Sequence, residues 1–155
     1  MADYAEVLGL QVRAASDPAS LQRMVATAGD RRVVIDTKGA VTGDTDARDV
    51  LRELITASGA APLLAMPGDC AAVEAAAIVA FFAPLGPHAL VPTRLDLVHR
   101  LGGVLAAADA ARLAVPAAGV TPHFAFGLRE LTPPMVARRL LAVALENEAA
   151  RRPGI

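Results

Sequence analysis

Five short apolar or β-branched runs alternate with longer segments of helical period, and this alternation confines the chain to stacked βαβ units around a parallel sheet. The runs are Leu10–Ala14, Arg32–Asp36, Leu63–Met66, His88–Pro92 and Thr121–Phe126. The second has the continuous apolar centre, Val33-Val34-Ile35, expected of a strand covered on both faces, whereas the first is mixed and reads as an edge. Pro62, Pro87 and Pro122 stand near strand entrances, where a missing N–H costs least.

The helices are punctuated at both ends. Asp17 is placed as the cap of a helix that starts at Pro18, carries Leu21, Met24 and Val25 on one face and stops at Gly29. Asp44 to Ser58 brings Val50, Leu51, Leu54 and Ile55 together at helical spacing before Gly59. Asp69 is expected to cap an Ala-rich helix ending before Gly86, Leu97–Leu113 forms the fourth helix, and Thr132-Pro133 opens the last. Residues 1–150 read as one domain portion, and the basic 151–155 as a frayed tail. With 155 residues, 54% hydrophobic and only 3% aromatic, the core has to be built from Ala, Val and Leu, which lets elements pack closely.

Charge and cysteine content narrow the classes of function. A net charge of −1 gives no overall attraction to nucleic acid or to anionic lipid. The single cysteine, Cys70, cannot close an internal disulfide, and the 3 histidines are too scattered for a metal-ligand spacing, so a reducing cytoplasm is the expected compartment. The N-terminus has no basic stretch followed by an apolar run, and Ala71–Leu85 falls short of the roughly 20 apolar residues of a membrane span.

In a parallel α/β sheet ligands bind beyond the carboxyl ends of the strands, which directs attention to three short strings. After Val33-Val34-Ile35 comes Asp36-Thr37-Lys38-Gly39, where a carboxylate can hold the water shell of Mg²⁺ and a glycine lets backbone N–H groups approach a phosphate. The alternative is that Asp36 only satisfies backbone groups in a loop. After Ala89-Leu90-Val91 comes Thr93-Arg94-Leu95-Asp96. A carboxylate there accepts two hydrogen bonds from the N1 and N2 edge of guanine, which adenine does not offer, and the Arg94 stem can lie on the base plane. The alternative is that Asp96 caps the following helix. Third is Phe124-Ala125-Phe126-Gly127, where a glycine permits close backbone approach to a base. His99 and Arg100 also follow the second string and read as an exposed helix start. Cys70 stands at a helix N-terminus, which can lower a thiol pKa, but with no histidine or second cysteine nearby in sequence it reads as structural.

Taken in this order, the strings resemble the third, fourth and fifth nucleotide motifs of the signal-recognition-particle (SRP) GTPases, and Gly102-Gly103 matches a glycine pair that this family carries after its guanine motif. Asp3–Gly9 and the closing Gly127-Leu-Arg-Glu-Leu-Thr-Pro133 are similar to segments of the flagellar, FlhF-like branch. The resemblance implies a Rossmann-like, three-layer α/β domain of the P-loop GTPase type that binds GTP or GDP with Mg²⁺. By that resemblance Asp36 acts on Mg²⁺ through water and, with Thr37 and Gly39, faces the γ-phosphate; Thr93, Arg94 and Asp96 form the guanine loop, and Gly127 the closing loop. It further implies a homodimer or an SRP-GTPase-like heterodimer, and peripheral membrane association only through other segments.

The chain departs from that pattern. Lys38 and Ala40 replace the family's alanine and arginine, Arg94 replaces lysine, and Leu128 replaces a polar residue. No Gly-x-x-x-x-Gly-Lys-Ser/Thr string occurs, so this sequence holds no cradle of N–H groups for the phosphates and no P-loop lysine. The expected polypeptide therefore binds guanine nucleotide without hydrolysing it on its own, in protein targeting or flagellar assembly. The alternative is a non-enzymatic interaction module that has lost the nucleotide.

Overall fold

The computed structural model describes residues 5, 7–98, 100–123 and 126–151, with side chains up to residue 143. The chain divides into two compact units, Met1–Ala60 and Ala61–Ile155.

The first unit is built on two helices, α1 (Pro18–Ala28) and α2 (Thr45–Ser58), which pack against each other. Local chemistry sets their ends. The Asp17 carboxylate accepts the Ser20 N–H at 2.7 Å, and the Ser20 hydroxyl in turn accepts the Asp17 N–H at 3.2 Å, a reciprocal box that satisfies two donors at the start of α1. Asp44 accepts the Ala47 N–H at 2.9 Å in the same way, and α2 closes on Gly59, whose N–H donates to the Ile55 carbonyl at 2.9 Å.

Two expected strands, Leu10–Ala14 and Arg32–Asp36, are not formed. Both are irregular, and Val33 and Val34 are 44% and 87% exposed. A β-branched run becomes a strand only when a neighbour takes up its N–H and C=O groups, and among the described residues these runs have no ladder partner.

The second unit holds the α/β layer. Strand β1 (Leu63–Pro67) and strand β2 (Ala89–Thr93) run parallel in register, from Leu63 opposite Ala89 to Pro67 opposite Thr93. Between them in sequence comes α3 (Ala72–Phe82), followed by a 3₁₀ turn, Ala83–Leu85. Beyond β2 a second 3₁₀ turn, Leu95–Leu97, leads to α4 (Gly102–Ala110). Then come β3 (Ala117–Gly119) and β4 (Leu128–Glu130), an antiparallel pair, and α5 (Pro133–Arg151). The core is aliphatic: Met66 and Leu90 from the sheet meet Ala75 and Val79 of α3 and Val104, Ala107 and Ala108 of α4. Small residues at the α3–α4 contact let the two helices approach closely, as the alanine-rich composition requires.

The fourth helix starts at Gly102 and not at Leu97, because Leu95–Leu97 curls into the 3₁₀ turn and Val98 is extended. The fifth expected strand, Thr121–Phe126, is displaced to the flanking segments Ala117–Gly119 and Leu128–Glu130; Phe124 and Ala125 lie outside the described residues, as do His99, Met1–Tyr4 and Glu6, and Arg152–Ile155.

Candidate functional site

The carboxyl ends of β2 and β3 frame the site. At the end of β2 the Thr93 hydroxyl donates to the Met66 carbonyl at 3.2 Å and the Thr93 carbonyl accepts the Gly68 N–H at 2.8 Å, so the last residue of the strand is tied to β1 and to the turn after it. The chain then reverses at Arg94, whose φ of 58° and ψ of 33° are left-handed, a conformation that costs a residue with a Cβ. That reversal allows the Leu97 N–H to reach the Arg94 carbonyl at 3.0 Å, and the resulting turn buries Leu95 while leaving Asp96 exposed. On the opposite side Gly119 ends β3 so close to the strand that a Cβ there would lie 3.3 Å from the Thr93 Cα.

Between these elements opens a cleft of about 440 Å³, lined by Thr93, Arg94, Asp96 and Leu97 on one side, Gly119, Thr121, Pro122 and His123 on the other, and Gly127. Its volume lies within the range of roughly 300–1,000 Å³ typical of small-molecule sites. Thr93, Arg94, Asp96 and Gly127, which the sequence motifs single out, meet around this one space. Asp96 lies within the 3₁₀ turn, five residues or more from the first turn of α4, and so is not the helix cap.

Two supporting groups hold the loop from Thr93 to Leu97. Arg94 Nη2 lies 2.7 Å from Asp69 Oδ1, an ion pair between half-exposed groups that fixes direction more than it adds stability. Asp69 is thus not the cap of α3; that helix starts with the Glu74 carboxylate accepting the Ala71 N–H at 3.0 Å. From α5, Arg139 Nη2 donates to the Leu95 carbonyl and, at 2.6 Å, to the Val98 carbonyl, bracketing the turn that carries Asp96. The Cys70 thiol, donating to the Pro67 carbonyl at 3.1 Å, is pushed up from its ordinary pKa by partial burial, the reverse of the shift expected for a helix N-terminus.

Sequence reasoning missed Gly119, Thr121, Pro122, His123 and Arg139. The Thr-Pro-His string was a turn signal hidden inside a segment read as a strand, whereas nothing local marks Arg139, which acts across the fold.

Asp36, Thr37 and Gly39 are exposed residues of the irregular segment in the first unit. No group of three metal-ligating side chains occurs among the described residues, so Asp36 is not part of a direct ligand set for a metal ion. The cleft brings together the Asp96 carboxylate, the Thr121 hydroxyl, the His123 imidazole and the glycine that ends β3.

No protein-family model matches the sequence, and no curated protein matches it. Among solved structures the chain is similar to chloroplast FtsY from Physcomitrella patens, with a TM-score of 0.74 and 24% identity over 90% of this chain. The match covers 49% of that protein, so the chain spans about half its length. The shared property is the α/β fold.

Proposed function

We propose that this chain is the guanine-recognising part of an SRP-type GTP-binding domain in protein targeting, and that it does not hydrolyse GTP by itself. The observation that carries the reading is the meeting of Thr93, Arg94, Asp96 and Gly127 around one cleft at the carboxyl end of a parallel strand. The likeness of the fold to chloroplast FtsY, an SRP-type GTPase, adds support. In this reading the Asp96 carboxylate accepts the N1 and N2 protons of guanine, the Arg94 stem covers one face of the base, and the backbone near Gly127 closes the other. By the sequence resemblance alone, Asp36 is assigned to Mg²⁺ through water and, with Thr37 and Gly39, to the γ-phosphate, and the sequence contains no P-loop string. Pairing with a homologous GTPase domain, as a homodimer or heterodimer, and action in the cytoplasm complete the proposal. The flagellar assignment rests on the strings Asp3–Gly9 and Gly127–Pro133 alone.

The test is calorimetric titration of the purified chain with GDP·Mg²⁺ and with ADP·Mg²⁺. Heat from GDP only, abolished in Asp96→Asn, is the expected result. Equal responses to both nucleotides, or silence from a folded chain, would refute it and leave an interaction module that has lost the nucleotide.

A further inference from the structure

The cleft contains one more group that a purine can use. A guanine base offers donors along its N1 and N2 edge and acceptors at O6 and N7, so a complete reading needs a protein donor as well as the Asp96 acceptor. Of the side-chain donors in the lining, the Thr93 hydroxyl is committed to the Met66 carbonyl, and Arg94, which keeps further N–H groups, is drawn toward Asp69 through Nη2. Thr121 and His123 remain. The Thr121 Oγ1 accepts the His123 N–H at 3.2 Å, a local turn that fixes where the His123 backbone stands. Among the described residues no protein group takes up the imidazole nitrogens of His123.

We propose that His123 is a specificity-determining residue, its imidazole N–H donating to the O6 acceptor of a 6-oxopurine held by Asp96. The assignment rests on the guanine reading of the cleft. It makes base choice two-sided: Asp96 selects for the protons of the base, and His123 selects for its carbonyl. A base lacking a good acceptor at position 6 leaves the imidazole N–H without a partner in the cleft and loses the contact.

The experiment titrates the chain and its His123→Ala and His123→Gln variants with GDP and with 6-thio-GDP, followed by NMR of the backbone amides. The sulfur analogue keeps both Asp96 protons but replaces the oxygen by a poor acceptor. The unaltered chain is expected to prefer GDP by roughly 3- to 10-fold, the equivalent of one net hydrogen bond. His123→Ala is expected to weaken GDP by that factor and leave 6-thio-GDP unchanged, while His123→Gln, which keeps an N–H donor, retains part of the preference. Loss of affinity for both ligands alike, or for neither, overturns the assignment with the guanine reading intact. No response of the unaltered chain to GDP overturns both. His123 is exposed, so the amide spectra of the free variants serve as the check on folding.

Discussion

The two adjacent glycines at the start of α4 answer the same substitution in opposite ways. A Cβ built on Gly103 would lie 2.9 Å from the Cα and 3.1 Å from the Cβ of Ala72, at the start of α3, whereas a Cβ on Gly102 meets nothing within 4 Å. Replacing glycine by alanine in a helix ordinarily gains roughly 0.5–1 kcal/mol, because the unfolded chain loses freedom. Gly102→Ala should keep that gain, reduced somewhat by its place in the first turn. At Gly103 the new methyl presses on backbone, which cannot rotate out of the way, and overpacking of this kind costs about 1–3 kcal/mol. The net effect of Gly103→Ala is then a loss of up to about 2.5 kcal/mol, centred slightly above about 1 kcal/mol, after the helix gain of roughly 0.5–1 kcal/mol is subtracted. For a unit of this size each kcal/mol moves Tm by roughly 4–8 °C, so the transition of the second unit should fall by about 5–10 °C in Gly103→Ala and stay level or rise in Gly102→Ala. Thermal unfolding followed by circular dichroism reads both. Equal shifts, or a stabilised Gly103→Ala, would show that α3 and α4 are not packed as closely as described.

Other outcomes follow from single contacts. Arg139→Ala removes donors from the Leu95 and Val98 carbonyls and should cost about 1–3 kcal/mol while loosening the turn that carries Asp96; unchanged urea unfolding would contradict this. The Asp17 carboxyl is held below its ordinary value of 3.8, first by the Ser20 N–H and then by the Ser16 hydroxyl. Its cap therefore contributes above that value and is lost as pH falls through the lowered pKa, so amide exchange at Ser20 should quicken only in strongly acid solution, and quickening near neutrality would speak against the cap. Cys70, with its thiol pKa raised by burial, should react with iodoacetamide at neutral pH more slowly than a free cysteine; faster alkylation would contradict the described surroundings.

The parts of the fold legible in the sequence were those fixed by local chemistry. Asp17-Pro18 and Asp44 marked helix starts because their carboxylates satisfy the first N–H groups, and the short apolar runs Leu63–Met66 and His88–Pro92 stood out and became the strands Leu63–Pro67 and Ala89–Thr93. Arg32–Asp36 had the same look, and its sequence could not tell whether a neighbouring strand would pair with it. Ala117-Ala118-Gly119 has no strand propensity at all; it is a strand because it pairs with Leu128–Glu130 and because its glycine fits against Thr93. The candidate site divided along the same line. Thr93, Arg94 and Asp96 lie within one four-residue string and are readable, whereas the face across from them is assembled by a loop whose closeness to β2 is a tertiary fact.

The most direct test of the central claim is to map nucleotide-induced shifts of assigned backbone amides across the whole chain. GDP should move Arg94–Leu97, Gly119–His123 and Gly127 together and ADP should leave them in place, because only guanine presents two protons to Asp96. Identical shifts with both nucleotides, or GDP-dependent shifts confined to residues outside the cleft, would contradict the account.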